Sequence, residues 1–277
     1  MADGTVPSLA AVEAVCDEAA ALVRTLLQRP VGDWRKGDAS PVTTIDLAVD
    51  RFLHERLRPL MPEAGWLSEE TADEPSRLQQ AWLWVVDPID GTRSLLARKP
   101  EFCISVALVH SGVGSELAVI GNPSTGQRWS ARRGHGAHDR GGRRLTVRSD
   151  WQSDRVALLV SRTDVQQGLW EGLAAANQLT EVGSLAYKMA LVASGDYDGH
   201  ATPTPRNEWD AAAGQLLIDE AGGVASDLHG APLRFNQPQP NYDGFVVASR
   251  AAYPHLLGLA RHSAVRWLAR LAQRDGQ

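Results

Sequence analysis

The sequence predicts a mixed fold, α+β over its first half and α/β over its second. Three observations lead there. β-Prone runs at 102–110, 116–121, 127–131 and 144–148 are separated by Gly/Pro/Asn turns, the pattern of an antiparallel meander. Beyond "RSDWQSD", near residue 150, strand-like and helix-like runs alternate. The length, 277 residues, suits one large domain or two ordinary ones, so two halves are expected, 1–150 and 151–277.

The elements follow in order. Residues 8–28 have the spacing of an amphipathic helix, closed by Pro30. Residues 42–60 read as a second helix, with Ile45, Val49, Phe52, Leu53, Leu57 and Leu60 on one face and Pro62 as its stop. "GWLSEE" reads as a short strand running into acids, and "AWLWVVD" as a buried strand. In the second half, "RVALLVSR" is a strand, 164–176 a helix, 180–182 a strand and 184–194 a helix. A strand at 197–201, a helix at 209–221, a strand at 244–249 and a helix from 251 complete the chain.

Composition narrows the function. The chain is 43% hydrophobic and 22% charged, with a formal net charge of −5. That balance argues against a broad nucleic-acid or anionic-membrane surface, but not against a small phosphorylated ligand held by local cations or metals. Cys16 and Cys103 lie in no metal-type spacing and read as reduced core thiols. The start, "MADGTVPSLAAVEAVCDEAA", lacks a basic n-region followed by an apolar run, and no apolar stretch is long enough for a bilayer, so a cytoplasmic location is expected.

One stretch stands out. "WVVDPIDGTRS" runs a buried strand into Asp87 and Asp90, with Pro88 stiffening the turn between them. Two carboxylates cannot share a core unpaired. A hard cation such as Mg²⁺ removes the conflict, with the Ile89 carbonyl facing the same cavity. Gly91 and Thr92 read as the opening of a short helix, where free N–H groups suit a phosphate. The bland alternative is turn chemistry. Taken singly, Glu69 and Glu70 read as a solvated acidic loop, Asp46 as a macrodipole partner and Asp210 as a helix N-cap. Together, these segments each set a carboxylate at a strand end or a helix start, where a ligand is reached.

The four segments resemble the inositol monophosphatase superfamily of Mg²⁺-dependent, lithium-inhibited phosphatases. "WVVDPIDGT" resembles its central motif, "WLSEET" its acidic segment, "SPVTTIDLAVD" its aspartate helix and "EWDAAAGQLLIDEAGG" its C-terminal helix. The resemblance implies a layered αβαβα sandwich with the active site where its halves meet. It implies two to three Mg²⁺ ions: Glu69, Asp87 and the Ile89 carbonyl at the first, Asp87, Asp90 and Asp210 at the second, and Glu69 at a looser third. Glu69, Asp46 and Thr92 would position and activate the attacking water, the Gly91–Thr92 backbone would hold phosphate oxygens, and Glu70 would stand outside this set. A homodimer is also expected from the resemblance. Neither a cysteine nor a serine nucleophile with an adjacent base is evident, so direct attack by water is expected.

For the substrate, "VSRTD", "VGSLAYKMALVASGDYD" and "PTPRNEWDAAAG" resemble the 3′(2′),5′-bisphosphate nucleotidase branch. Arg162, Lys188 and Arg206 are cations placed to meet an extra phosphate. Ser184 is a helix cap, a ligand contact, or both, and Lys188 alone reads equally as a helix-surface lysine. The glutamate with which inositol monophosphatases grip inositol falls near Thr202, beside Pro203, Pro205 and Arg206. Adenosine 3′,5′-bisphosphate is therefore the expected substrate, with inositol 1-phosphate or a related sugar phosphate the alternative. The basic run 131–144 reads as a hairpin turn between strands 127–131 and 144–148, Trp82, Trp84 and Trp209 as core, and Lys36–Ser40, beside Trp34, as a loop able to close over the metals.

Overall fold

The computed structural model describes residues 5–36, 41–151, 155–173 and 177–275. The chain opens with α1 (Leu9–Leu26), whose Ser8 cap accepts from the Ala11 amide. Val12, Val15, Cys16, Ala19 and Val23 are buried at helical spacing. A small hairpin, β1 (Asp33–Arg35) with β2 (Pro41–Thr43), leads into α2 (Thr44–Leu57). Trp34 on β1 is exposed. Most of the expected polar loop, residues 37–40, lies outside the described residues.

The first sheet has the order β3-β4-β5-β6-β7-β8. Its strands are β3 (Gly65–Ser68), β4 (Trp82–Asp90), β5 (Cys103–His110), β6 (Gly114–Gly121), β7 (Arg128–Arg132) and β8 (Gly136–Asp139). β3 is parallel to β4, and the remaining pairs form the expected antiparallel meander. The last strand differs from expectation. It lies at 136–139, inside the basic run, while Arg144 makes an isolated bridge to His138. Long-range contact fixes it there: Glu220 accepts from the Gly134 and Gly136 amides, each at 2.7 Å.

Between β4 and β5 comes the short helix α3 (Thr92–Leu96). The second sheet has the order β10-β9-β11-β15-β13. β9 (Ala157–Val160), β10 (Gln178–Glu181) and β11 (Gly199–Thr202) run parallel, while β13 (Val224–Asp227) and β15 (Phe245–Ala248) add antiparallel pairs. β12 (Arg206–Asn207) pairs with β14 (Asn241–Tyr242) as a separate ribbon. The helices are α4 (Arg162–Gln166), α5 (Leu185–Ala193), α6 (Glu208–Glu220) and α7 (Tyr253–Asp275). The helix expected at 164–176 stops early, because Gly168 adopts φ +65°, a conformation that ends the helix and that few other residues accept.

Side-chain alternation stacks these parts into an αβαβα sandwich. Along β4, Trp84 and Val86 pack with α1 and α2, while Leu83 and Val85 pack with α5 and α6. Leu159, Phe245 and Val247 of the second sheet close on that same inner helical layer, and Leu158, Val160 and Val246 face α7 on the far side. Wedged between two sheets, α6 buries residues on nearly every face, Ala211, Ala212, Ala213, Leu216, Leu217 and Ile218 among them.

Candidate active site

The site forms where β4 runs out. Residues three apart on a regular strand point to opposite faces, so Asp87 and Asp90 should diverge. They do not, because the β4–β5 register slips between them. Asp87 pairs with Ser105 and Asp90 with Cys103, so two residues, Pro88 and Ile89, oppose Ile104 alone. The parity flips. The Ile89 side chain joins the α1–α2 core, and both aspartates border the same cleft.

Each carboxylate is held differently. Asp87 Oδ1 accepts from the Ile89 amide at 3.0 Å, whereas its buried Oδ2 has no hydrogen-bond partner among the described residues. Asp90 Oδ2 accepts from the Ser184 hydroxyl at 2.7 Å and from the Ala186 amide, at the start of α5. Asp210, in the first turn of α6, accepts from the Asn207 amide at 2.8 Å. Oxygens from Asp87, Asp90 and Asp210 lie within 4.8 Å of one another. Among the described residues no other group of three ligand-type side chains is gathered so closely.

Glu69 follows β3, with its amide on the Val86 carbonyl at 3.3 Å, and its carboxylate meets Lys36 Nζ at 3.0 Å. Lys36 also reaches Glu70 at 2.6 Å, which keeps Glu70 engaged beside the cluster. Asp46 forms a capping box with Thr43 at the start of α2. Its other oxygen accepts from the Thr92 hydroxyl at 2.8 Å. Gly91 caps α3 at φ +99°, where an added Cβ would come within 2.9 Å of the Glu101 carbonyl oxygen.

Burial and crowding raise the proton affinity of these acids. Burial first, then the charges of Glu69, Asp90 and Asp210, hold the Asp87 carboxyl well above its ordinary range. Burial, then Asp90 and Glu69, pushes Asp210 up to about 7. Burial raises Asp90 against opposing hydrogen bonds from Ala186 and Ser184, and it raises Asp46 against those from Thr43 and Thr92. An orphaned buried oxygen amid mutually repelling carboxylates is a donor set that fits a hard divalent cation.

The adjoining cleft, about 500 Å³, is bordered by Glu69, Asp87, Asp90 and Asp210 and by the expected substrate contacts Arg162, Ser184, Lys188 and Arg206. Lys188 is buried, which removes the reading of a helix-surface lysine. Burial lowers its pKa to about 8. Arg162 is paired with Glu101, which also accepts from the Gly183 amide at 2.8 Å. Arg206 lies 3.4 Å from Asp164. Ser184, at φ +51°, caps α5 through the Tyr187 amide while donating to Asp90, so its hydroxyl is shared between helix and carboxylate.

Sequence reasoning placed Lys36 in a loop near the metals without its glutamate partners, and missed Glu101 and Asp164, as well as Arg93 and Lys99 at the cleft edge. It also missed Asp50, which anchors the acidic turn by accepting from Ser68 at 2.5 Å and Thr71 at 2.7 Å. For Asp50 a signal was present, since it follows Asp46 by one helical turn.

Carboxylates gathered for cations, beside lysine and arginine side chains suited to anions, define a phosphate-handling hydrolase site. The chain belongs to the inositol monophosphatase family, whose profile matches residues 7–264, and it is a phosphatase. A protein of Aggregatibacter actinomycetemcomitans named 3′(2′),5′-bisphosphate nucleotidase CysQ is 34% identical, over 82% of this chain and 88% of its own. A Rhizobium meliloti protein named inositol-1-monophosphatase is 35% identical, over 70% and 75%. Among solved structures, the Thermotoga maritima IMPase superposes with a TM-score of 0.81 at 24% identity, covering 92% of this chain and 96% of that one. CysQ from Bacteroides thetaiotaomicron gives 0.70 at 25% identity, covering 87% and 97%.

Proposed function

We propose that this phosphatase is a Mg²⁺-dependent 3′(2′),5′-bisphosphate nucleotidase that converts adenosine 3′,5′-bisphosphate to AMP and phosphate. The observation that carries the reading is the unpartnered Asp87 Oδ2 within the Asp87–Asp90–Asp210 cluster, bordering a cleft that Lys188 and Arg206 also line. Mg²⁺ held by Glu69, Asp87, the Ile89 carbonyl, Asp90 and Asp210 would supply charge neutralisation, a water of lowered pKa and a partner for the leaving oxygen.

The chain's own residues supply the rest. Asp46 accepts the Thr92 proton, which leaves the Thr92 oxygen free to accept from the attacking water and orient it. The Gly91–Thr92 backbone, at the start of α3, holds phosphate oxygens. Lys188 and Arg206 meet the second phosphate, Arg162 lends its remaining donors, and Ser184 steadies Asp90 at the same edge. Both cysteines are buried, and burial raises the Cys103 thiol, so neither suits a covalent intermediate. Buried free thiols also agree with a reducing, cytoplasmic setting.

Hydrolysis of inositol 1-phosphate or a related sugar phosphate is the second reading, favoured by the likeness to the Rhizobium meliloti protein. Against it, the resemblance sets the place of the inositol-gripping glutamate near Thr202, which is buried on β11. Phosphate release from adenosine 3′,5′-bisphosphate and from inositol 1-phosphate, with Mg²⁺ and an Asp90→Asn control, separates the two. Preference for the nucleotide, lost in the variant, is expected. Preference for inositol phosphate would overturn the nucleotidase assignment.

A further inference from the structure

Asp164 is a buried carboxylate that the chemistry above leaves unused. It lies in the first turn of α4, 1% exposed, with its amide on the Ser161 hydroxyl at 3.0 Å. Its Oδ1 is 3.4 Å from both Arg206 Nη2 and Thr204 Oγ1, and its Oδ2 has no hydrogen-bond partner among the described residues. A carboxylate buried this way is costly unless cations balance it.

Two cations do so. Arg206 is in contact with it. Lys188, buried on α5, has its ammonium on the Val182 carbonyl at 3.3 Å. Among the described residues, the charges that bear on Lys188 are those of Asp90 on β4, Asp164 on α4, Asp210 on α6 and Arg206 on β12. His200 on β11 adds no charge of its own, since burial holds it neutral and Nδ1 is occupied by the Leu159 carbonyl at 2.8 Å. Asp90 and Asp210 belong to the carboxylate cluster, whose charge is committed to cations there. Asp164 is the acid left for Lys188 and Arg206, so the trio keeps an excess of positive charge. Both cations line the cleft, and Asp164 does not.

We propose that Asp164 is a positioning residue for specificity: by holding the Arg206 guanidinium at the cleft wall, it tunes the cleft to substrates with a second anionic group. The inference rests on the nucleotidase reading and assigns its selectivity to a residue that never touches the ligand.

The test compares KM and kcat for adenosine 3′,5′-bisphosphate and adenosine 3′-monophosphate in the wild type, Asp164→Asn, Asp164→Glu and Arg206→Gln. In Asp164→Asn the KM ratio is expected to shift about tenfold against the bisphosphate, with the shift in KM rather than kcat. Asp164→Glu, which keeps the charge, recovers part of the ratio. Adding Arg206→Gln to Asp164→Asn costs less than the sum of the two, as expected for residues on one route. An unchanged ratio in Asp164→Asn, or equal KM increases for both substrates, overturns the inference alone. A wild type indifferent to the second phosphate overturns the nucleotidase reading with it. Should Asp164→Asn fail to fold in a thermal melt, Arg206→Gln carries the decision: its side chain is 25% exposed, and an unchanged ratio there overturns the route.

Discussion

The Thr92 hydroxyl at the start of α3 donates to the Asp46 carboxylate on α2 across 2.8 Å, joining segments 46 residues apart. Thr92 has one proton, and of its two acceptors Asp46 is nearer than the Ile89 carbonyl at 3.1 Å. Thr92→Ala and Asp46→Asn are each expected to lower kcat by about 10²–10³, within the range for a positioned proton-transfer group, with little change in KM. The double variant should lose little more than either single. Losses that multiply would show that the two side chains act independently.

Asp87 is crowded by its own neighbours. With metal removed by chelator at pH 7.5, Asp87→Asn is expected to be more stable than the wild type by about 1–3 kcal/mol, because it deletes a buried charge opposed by four other acids. Activity is lost at the same time. Mg²⁺ should then raise the melting temperature of the wild type and leave the variant unmoved. Urea unfolding in chelator measures the first effect, and a less stable variant would contradict it.

Lys188 produces a pH effect of known sign. Its folded pKa of about 8 lies below the ordinary 10.5, so the unfolded chain binds more protons between those values. Stability therefore rises with pH across that window, and the buried ammonium is a cost below it. Lys188→Met is expected to gain on the order of 2–3 kcal/mol at pH 7, with the gap closing toward pH 10.5. Denaturant midpoints at the two pH values test this. A gap independent of pH would mean the ammonium is not responsible.

Gly91→Ala combines a left-handed backbone with a blocked Cβ position, 2.9 Å from the Glu101 carbonyl oxygen. A loss of about 2 kcal/mol is expected, with a fall in kcat because Thr92 follows directly. Full activity and stability in that variant would show that the turn relaxes at no cost.

The carboxylates could be read from sequence because four strings, only "DPIDGT" distinctive by itself, fall in one order along the chain. How they converge could not. Spacing alone sends Asp87 and Asp90 to opposite faces, and the extra residue that reunites them is defined only against β5. The pairing of Lys36, and Glu101 and Asp164 altogether, were missed for the same reason. A single charged residue in a loop or a first helical turn is unremarkable until a partner 33, 61 or 42 residues away meets it. Strand 136–139 was hidden in an arginine-rich run, since the Glu220 carboxylate that fixes its turn is 84 residues from Gly136. Local pattern served best for α1, α2 and β4, where burial follows one period along the element.

β4 is buried along all nine of its residues, and two of the site's carboxylates, Asp87 and Asp90, stand on its last four. Strands enclosed on both faces exchange their amide hydrogens only when the whole molecule opens. Those two carboxylates are thus mounted on a strand expected to exchange slowly rather than on a segment that frays first. An enzyme arranged this way has no separate, milder route to inactivation through its catalytic strand: heat or denaturant should remove activity and tertiary structure along one curve.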